Sequence, residues 1–317
     1  FSDGISLISA EFLHRKRLVM KMEPFLGSIY LFIVGLGILG NSLLALCILI
    51  FFTDQRLSPI HVIIVQITLG NLMLLLFRGI PLVILNWGKK YFLDDVGCKI
   101  VFYLQRVGRG MSICSTCLLS SFQAIIVSSL TAKWAHLKQN ALKYSIICSF
   151  LCWLINAFIY VFVFIEVKGP KKQLNITSGI DLGYCYSAAV LDYPVIIYSA
   201  RDVVFVVLMI CSCGYMLYFL WRHHQQVRHI HSTNLCTSTN PEIRATKRIL
   251  LLVITFVSIY FVNCCLHLYV TYIAHFSVWI MDTCAITTIV FPTISPFLLM
   301  ANCSQLFKWC AVFREKK

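Results

Sequence analysis

The sequence predicts an all-α membrane protein: a bundle of seven transmembrane helices with an extracellular N-terminus and a cytoplasmic C-terminus. Three observations predict it. Apolar residues make up 59% of the 317 residues and charged residues 13%, about half the charged share of a globular protein, which leaves too little polar surface to coat a body in water. The apolar residues come in seven long runs. Lys and Arg gather in clusters between the runs, as the positive-inside rule expects. The net charge of +14 would suit a nucleic-acid binder, but the basic residues form no stripe interleaved with aromatics. Membrane lipid, and not nucleic acid, is the expected partner.

A bilayer core of about 30 Å takes about 20 residues of helix. The runs that meet or approach this length are 27–52, 59–85, 98–130, 143–164, 193–220, 241–274 and 280–300. They divide the chain into an extracellular N-terminal segment (1–26), a membrane domain (27–302) and a short basic cytoplasmic tail (303–317). The first segment carries Arg15, Lys16, Arg17 and Lys21 with no apolar core, so it is not a signal peptide. A start at Met22 and a fragmentary N-terminus both fit. The third and sixth runs exceed the core thickness, so tilt or projection into the cytoplasm is expected. Ser58-Pro59 and Asn240-Pro241-Glu242 each put a capping side chain before a proline suited to a first helical turn. Pro81, Pro292 and Pro296 fall inside runs, which lipid tolerates where neighbouring helices satisfy the freed carbonyls.

Orientation follows from the basic residues. With the N-terminus outside, the inner segments hold 13 Lys and Arg and the outer ones nine. Asp54, Glu242 and Glu315 are the inner acids. Asn175-Ile176-Thr177 is a glycosylation sequon in a loop placed outside by this count. Asn302-Cys303-Ser304 has the same pattern but lies at the inner end of the last run. Of 15 cysteines most lie inside apolar runs and behave as small hydrophobes; Cys114 and Cys117 are read as packing of this kind. Cys98 and Cys185 sit instead at the outer surface, where disulfides persist. A bond between them would close a loop worth about 3–5 kcal/mol and pin that loop over the bundle.

Charges inside the runs are costly, about 2.5–3.5 kcal/mol each on insertion scales, and usually face a cavity or a partner. Arg78, Lys99, Arg106, Arg109 and Arg201 are the basic ones; Asp202 and Asp282 are acidic. Arg78 and Lys99 lie near the outer edge and are expected to reach toward headgroups. Arg106 and Arg109, three apart, share one helical face and fall about 12–17 Å below Cys98, a depth suited to a small-molecule pocket. Two readings stay open and are compatible. Arg106, Arg109, Arg201 and Asp202 anchor a ligand, or an internal pair such as Arg109 with Asp202 simply holds the third helix to the fifth.

No metalloprotease, nucleophile-elbow or phosphate-loop motif is present, so no enzyme activity and no cofactor are expected. His223, His224, His229 and His231 could ligate a metal, but in a basic inner loop they read as a solvated binding surface.

Several strings, in order along the chain, resemble the vomeronasal type-1 receptors. They are Gly37-Ile38-Leu39-Gly40-Asn41-Ser42; Cys98-Lys99 through Tyr103 to Arg106-Val107-Gly108-Arg109-Gly110; Ser112 through Ser120; Phe122-Gln123-Ala124-Ile125; Arg201-Asp202-Val203; and Gly214-Tyr215-Met216. His223, Gln225, Gln226, His229, His231-Ser232, Pro241, Glu242, Arg244-Ala245-Thr246, Ile249-Leu250 and Ser295-Pro296-Phe297 continue the likeness. Gln123-Ala124-Ile125 stands where rhodopsin-like receptors carry Asp-Arg-Tyr, and Ser295-Pro296-Phe297 replaces their Asn-Pro-x-x-Tyr. Ser128-Ser129 departs from the Ser-Pro common in the family.

The resemblance implies a plasma-membrane receptor of sensory neurons that detects a small-molecule pheromone or odorant and signals through an inhibitory-type heterotrimeric G protein. On this reading the ligand enters from the outer face and contacts the third, fifth and sixth helices. Lys133, Lys138, Arg244, Lys247 and Arg248 then meet the G protein or anionic lipid. A bitter-taste-type receptor is the nearest alternative, and a multi-spanning transporter is another; neither internal repeats nor paired interrupted helices favour the transporter.

Overall fold

The computed structural model describes residues 25–50, 59–128, 140–169, 180–187, 192–230, 241–272 and 278–300. Long helices make up most of them. α1 is Phe25–Ile50, α2 Pro59–Asn86 and α4 Ala141–Glu166. α3 is Asp95–Ser128, α5 Asp192–Ile230, α6 Pro241–Tyr272 and α7 Val278–Met300. Six of these helices are long and apolar enough to cross a membrane. α3 carries Asp95, Lys99, Arg106 and Arg109 in its first half and no charged residue from Gly110 to Ser128; its 34 residues extend about 50 Å as helix.

α3 is the axis of the bundle. It packs against α2, α4, α5 and α6, and every residue from Gly110 to Cys117 is buried. Its closest neighbour is α2, because glycines meet where they cross. A Cβ on Gly108 would lie 2.9 Å from Gly70 O, and one on Gly70 would lie 3.1 Å from Gly108 O. Without side chains at this crossing the backbones come close enough to pack by dispersion, the usual device in lipid.

The bundle is polar inside and apolar outside. Asn41, Asn71, Ser112, Thr116, Ser120 and Asn156 are buried, while Phe32, Leu39, Phe150, Phe158, Ile210 and Phe261 are exposed. Water would make that outer surface an aggregation hazard; lipid makes it the favoured one.

The internal prolines are accommodated by named partners. Pro296 has no N–H, so the carbonyl of Pro292 loses its helical donor; Asn41 Nδ2 donates to it at 2.9 Å from α1. Asn41 also donates to Gly37 O at 2.8 Å. Its oxygen accepts Asn71 Nδ2 at 3.3 Å. Asn71 in turn donates to Ser295 Oγ at 2.8 Å and accepts from Ser112 Oγ at 2.8 Å. This chain of side chains knits α1, α2, α3 and α7 together. In α2, residues Leu75–Gly79 form a π turn just before Pro81, and the Ile80 N–H reaches back to Leu75 O. The wider turn absorbs the proline, and it carries Arg78.

A small antiparallel sheet caps one end, where the sequence pattern suggested only a loop. β1 (Val167–Lys168) and β2 (Ile180–Asp181) both pair with β3 (Tyr186–Ser187), in the order β1-β3-β2. Strands of two residues are too short to leave an alternation in the sequence. Gly183, at φ 79°, makes the turn between β2 and β3. The cap is tied down by Tyr91 N–H to Gly183 O at 3.0 Å. Gly169 N–H also donates to Asp95 Oδ1, at 2.8 Å.

Candidate ligand-binding site

The polar site forms where α3, α4, α5 and α6 meet, beneath the cap. Cys98, on the first turn of α3, faces Cys185 in the cap with their Cα atoms 5.8 Å apart, a separation a disulfide spans. Next to Cys185, Tyr184 is driven into the bundle, 1% exposed. Its ring packs against Phe92 and Phe102, with centroids 6.1 and 5.9 Å away.

Below this plug lie the charges. Arg201 and Asp202 are both buried on α5. Arg201 donates to Asp202 Oδ1 through Nε at 3.0 Å and again through a short NH2 contact. It also donates to Tyr160 OH at 2.6 Å and to Asn156 Oδ1, both on α4. There is room for this because residue 110 is glycine: a Cβ there would collide with Asn156 Oδ1 and with the guanidinium of Arg201. Asn156 is itself oriented by donating to Cys152 O at 2.7 Å. Asp202 Oδ2 receives Arg109 NH2 from α3 at 3.4 Å and Tyr260 OH from α6 at 3.3 Å. Higher on α3, Arg106 pairs with Glu166 Oε2 at 3.5 Å and lies over the Tyr198 ring, 5.1 Å from its centroid. Three arginines thus face two carboxylates, and charged groups that lipid would reject are answered by each other and by tyrosines.

Arg109, Arg201 and Asp202, singled out in the sequence, therefore share one network, and Arg106 adjoins it through Tyr198, whose ring lies 4.9 Å from that of Tyr160. Arg109 and Asp202 form the internal pair that was the second of the two open readings. The network's other members went unrecognised. Glu166 sat just past the predicted end of the fourth run, and Asn156, Tyr160, Tyr198 and Tyr260 give no signal until helix rotation brings them inward. Arg78 is half-buried, with its Nε enclosed. Lys99 pairs with Asp95 at 2.6 Å. Cys114 and Cys117 are buried, unbridged packing residues. Among the described residues no group of His, Cys, Asp and Glu could hold a metal.

A cavity of about 40 Å³ lies beside the network, with Arg109, Ser112, Tyr260, Asn263, Thr287 and Phe291 in its wall. Its walls come from α2, α3, α6 and α7. The expected fifth-helix contact is indirect: Arg201 turns toward α4, and Asp202 reaches the cavity only through its partners Arg109 on α3 and Tyr260 on α6. Arg109 keeps 39% of its side-chain surface accessible despite its depth.

Asn175, Lys133, Lys138 and His231 lie outside the described residues. Arg244, Lys247 and Arg248 fall in the first turns of α6, and of these side chains only that of Lys247 is described, as exposed.

The sequence model of the vomeronasal organ pheromone receptor family matches residues 26–312. The human vomeronasal type-1 receptor 3 is 38% identical over 87% of this chain and 90% of its own. The gorilla vomeronasal type-1 receptor 1 is 35% identical over 92% of this chain and 84% of its own. A zebrafish relative, olfactory receptor class A-like protein 1, is 30% identical over 88% of this chain and 90% of its own. With its apolar helices and its buried polar network, the chain belongs to the vomeronasal organ pheromone receptor family, as a chemosensory receptor of the G-protein-coupled type that passes repeatedly through the plasma membrane.

Proposed function

We infer that the chain crosses the membrane seven times, with α3 as the seventh span and the N-terminus outside. It binds a small pheromone or odorant in the outer half of the bundle and activates a heterotrimeric G protein of the inhibitory type. The observation that carries this reading is the Arg109–Asp202–Tyr260 junction, at 3.4 and 3.3 Å, in which a buried carboxylate meets two half-buried partners that border the cavity. Ionisable groups at such a depth are functional by default. The pairing of Arg106 and Arg109 with acids on neighbouring helices supports α3 as a span, because it lowers the cost of carrying charge into lipid.

Cys98–Cys185 is the disulfide that holds the cap over the ligand, and Asn175 carries a glycan on the same outer side. Lys133, Lys138, Arg244, Lys247 and Arg248 meet the G protein or anionic headgroups on the inner side. The ligand works by its differential affinity for an active arrangement, which shifts an existing equilibrium.

The test is a G-protein activation assay on the expressed chain against volatile and steroidal compounds. Loss of a charge-assisted contact costs about tenfold or more in potency, so Arg106→Gln and Arg109→Gln should right-shift the response by that much at unchanged surface amount. Unaltered potency in both variants removes the anchoring role.

A further inference from the structure

Asp202 is held unevenly. Its Oδ1 receives both contacts from Arg201 on its own helix, one of them at 3.0 Å. Its Oδ2 receives Arg109 at 3.4 Å and Tyr260 at 3.3 Å, both near the outer limit for such bonds. One carboxylate therefore ties α5 to α3 and to α6, firmly within α5 and weakly across the gaps. The weak partners are also the ones that face the cavity: Arg109 and Tyr260 line it, and the Arg109 guanidinium lies 5.8 Å from the Tyr260 ring centroid.

The charge in the cavity wall is that of a cation, Arg109. Among the described residues Arg109 commits one of its five N–H groups, to Asp202. The Asn263 oxygen is taken by Thr287 Oγ1 at 2.5 Å, which leaves its amide nitrogen to donate. The Ser112 and Thr288 hydroxyls already donate to Asn71 Oδ1 and Cys284 O, so toward the cavity they act only as neutral acceptors. The neighbouring carboxylate, Asp202, is saturated by its four contacts. An ammonium group entering here would meet the Arg109 charge and no free anion. An oxygen acceptor would meet Arg109, Asn263 and Tyr260. At about 40 Å³ the cavity has room for a few waters, so any larger guest enters by parting its walls, and the α6 wall is tied to α5 through Tyr260.

Resting on the receptor reading, we propose that the ligand is an apolar molecule with an oxygen hydrogen-bond acceptor, and that this acceptor takes Arg109 and Tyr260 from Asp202 and so frees α6 from α5. Asp202 is then a latch, set by Arg201 and opened by competition.

The experiment uses the full chain in membranes with a panel of purified G proteins. Ligand-free GTP turnover is measured for wild type, Tyr260→Phe and Asp202→Asn at matched surface amounts. Binding of octanoate, 2-octanone and octylamine is read by thermal stabilisation of wild type. Removing a hydrogen bond to a carboxylate shifts such an equilibrium about threefold or more, so Tyr260→Phe should raise ligand-free turnover by that factor. A rise cannot come from misfolding, and Tyr260→Phe keeps the ring in place if Asp202→Asn fails to fold. Octanoate or 2-octanone should stabilise the wild type more than octylamine does, and the stronger of the two tells an anionic acceptor from a neutral one. Wild-type signalling to any probe combined with unchanged turnover in Tyr260→Phe, or stabilisation by octylamine equal to the others, overturns the latch and leaves the receptor reading standing. No turnover from any protein with any G protein overturns both.

Discussion

Single side chains in this bundle answer specific backbone deficits, and their removal has predictable cost. Asn41 donates to the carbonyl that Pro296 leaves without a helical partner. Asn41→Ala strands that carbonyl and breaks the link to Asn71, so stability should fall by about 1–2 kcal/mol, measured as earlier thermal unfolding in detergent. Gly110 makes the opposite case, since space and not bonding is what it supplies. Gly110→Ala forces a methyl against Asn156 and Arg201; overpacking of this kind costs about 1–3 kcal/mol. Because it also displaces Arg201 from Asp202, it should alter ligand-free signalling as well as the melting temperature. A variant that melts like wild type would mean that Arg201 does not occupy the slot described.

Between elements, the α2–α3 crossing at Gly70 and Gly108 and the fastening of the cap are the contacts most open to test. Gly108→Leu sets a branched side chain where Met73 Cβ would lie 2.8 Å from a Cβ, so the helices must part and surface expression should collapse. The cap makes a prediction about coupling. If Cys98 and Cys185 form one bond, Cys98→Ser, Cys185→Ser and the double variant should lose the same amount of thermal stability. Clearly additive losses would mean the cysteines act separately. The elements were unequally legible in the sequence. The apolar runs announced themselves by length, and Pro59 and Pro241 marked the starts of α2 and α6. The cap's two-residue strands and the π turn ahead of Pro81 left no periodic trace, since both depend on what packs over them.

At the scale of the whole molecule, topology decides the rest. The proposed topology of seven crossings puts Asn175 outside and the Arg244–Lys247–Arg248 cluster inside. Enzymatic removal of a glycan from Asn175 on intact cells, with the cluster reachable by protease only after permeabilisation, is the expected result. Access to both from one side would require a different number of spans. The sequence could mark Arg106, Arg109, Arg201 and Asp202 as costly, because a charge in an apolar run is visible without coordinates. It could not say that Glu166, Asn156, Tyr160 and Tyr260 would answer them, since that depends on how each helix is rotated about its axis.

The polarity of α3 also bears on how the chain is made. Arg109 and Asp202 are 93 residues apart, so the ribosome delivers the arginine long before its counter-ion. A nascent chain that ends before α5 holds α3 with an unanswered guanidinium, and its own hydrophobicity is a poor guarantee of insertion. α3 should therefore wait in the translocon or at the bilayer interface until α5 emerges. Early termination would then strand the helix around which everything else packs, rather than leave a smaller stable bundle.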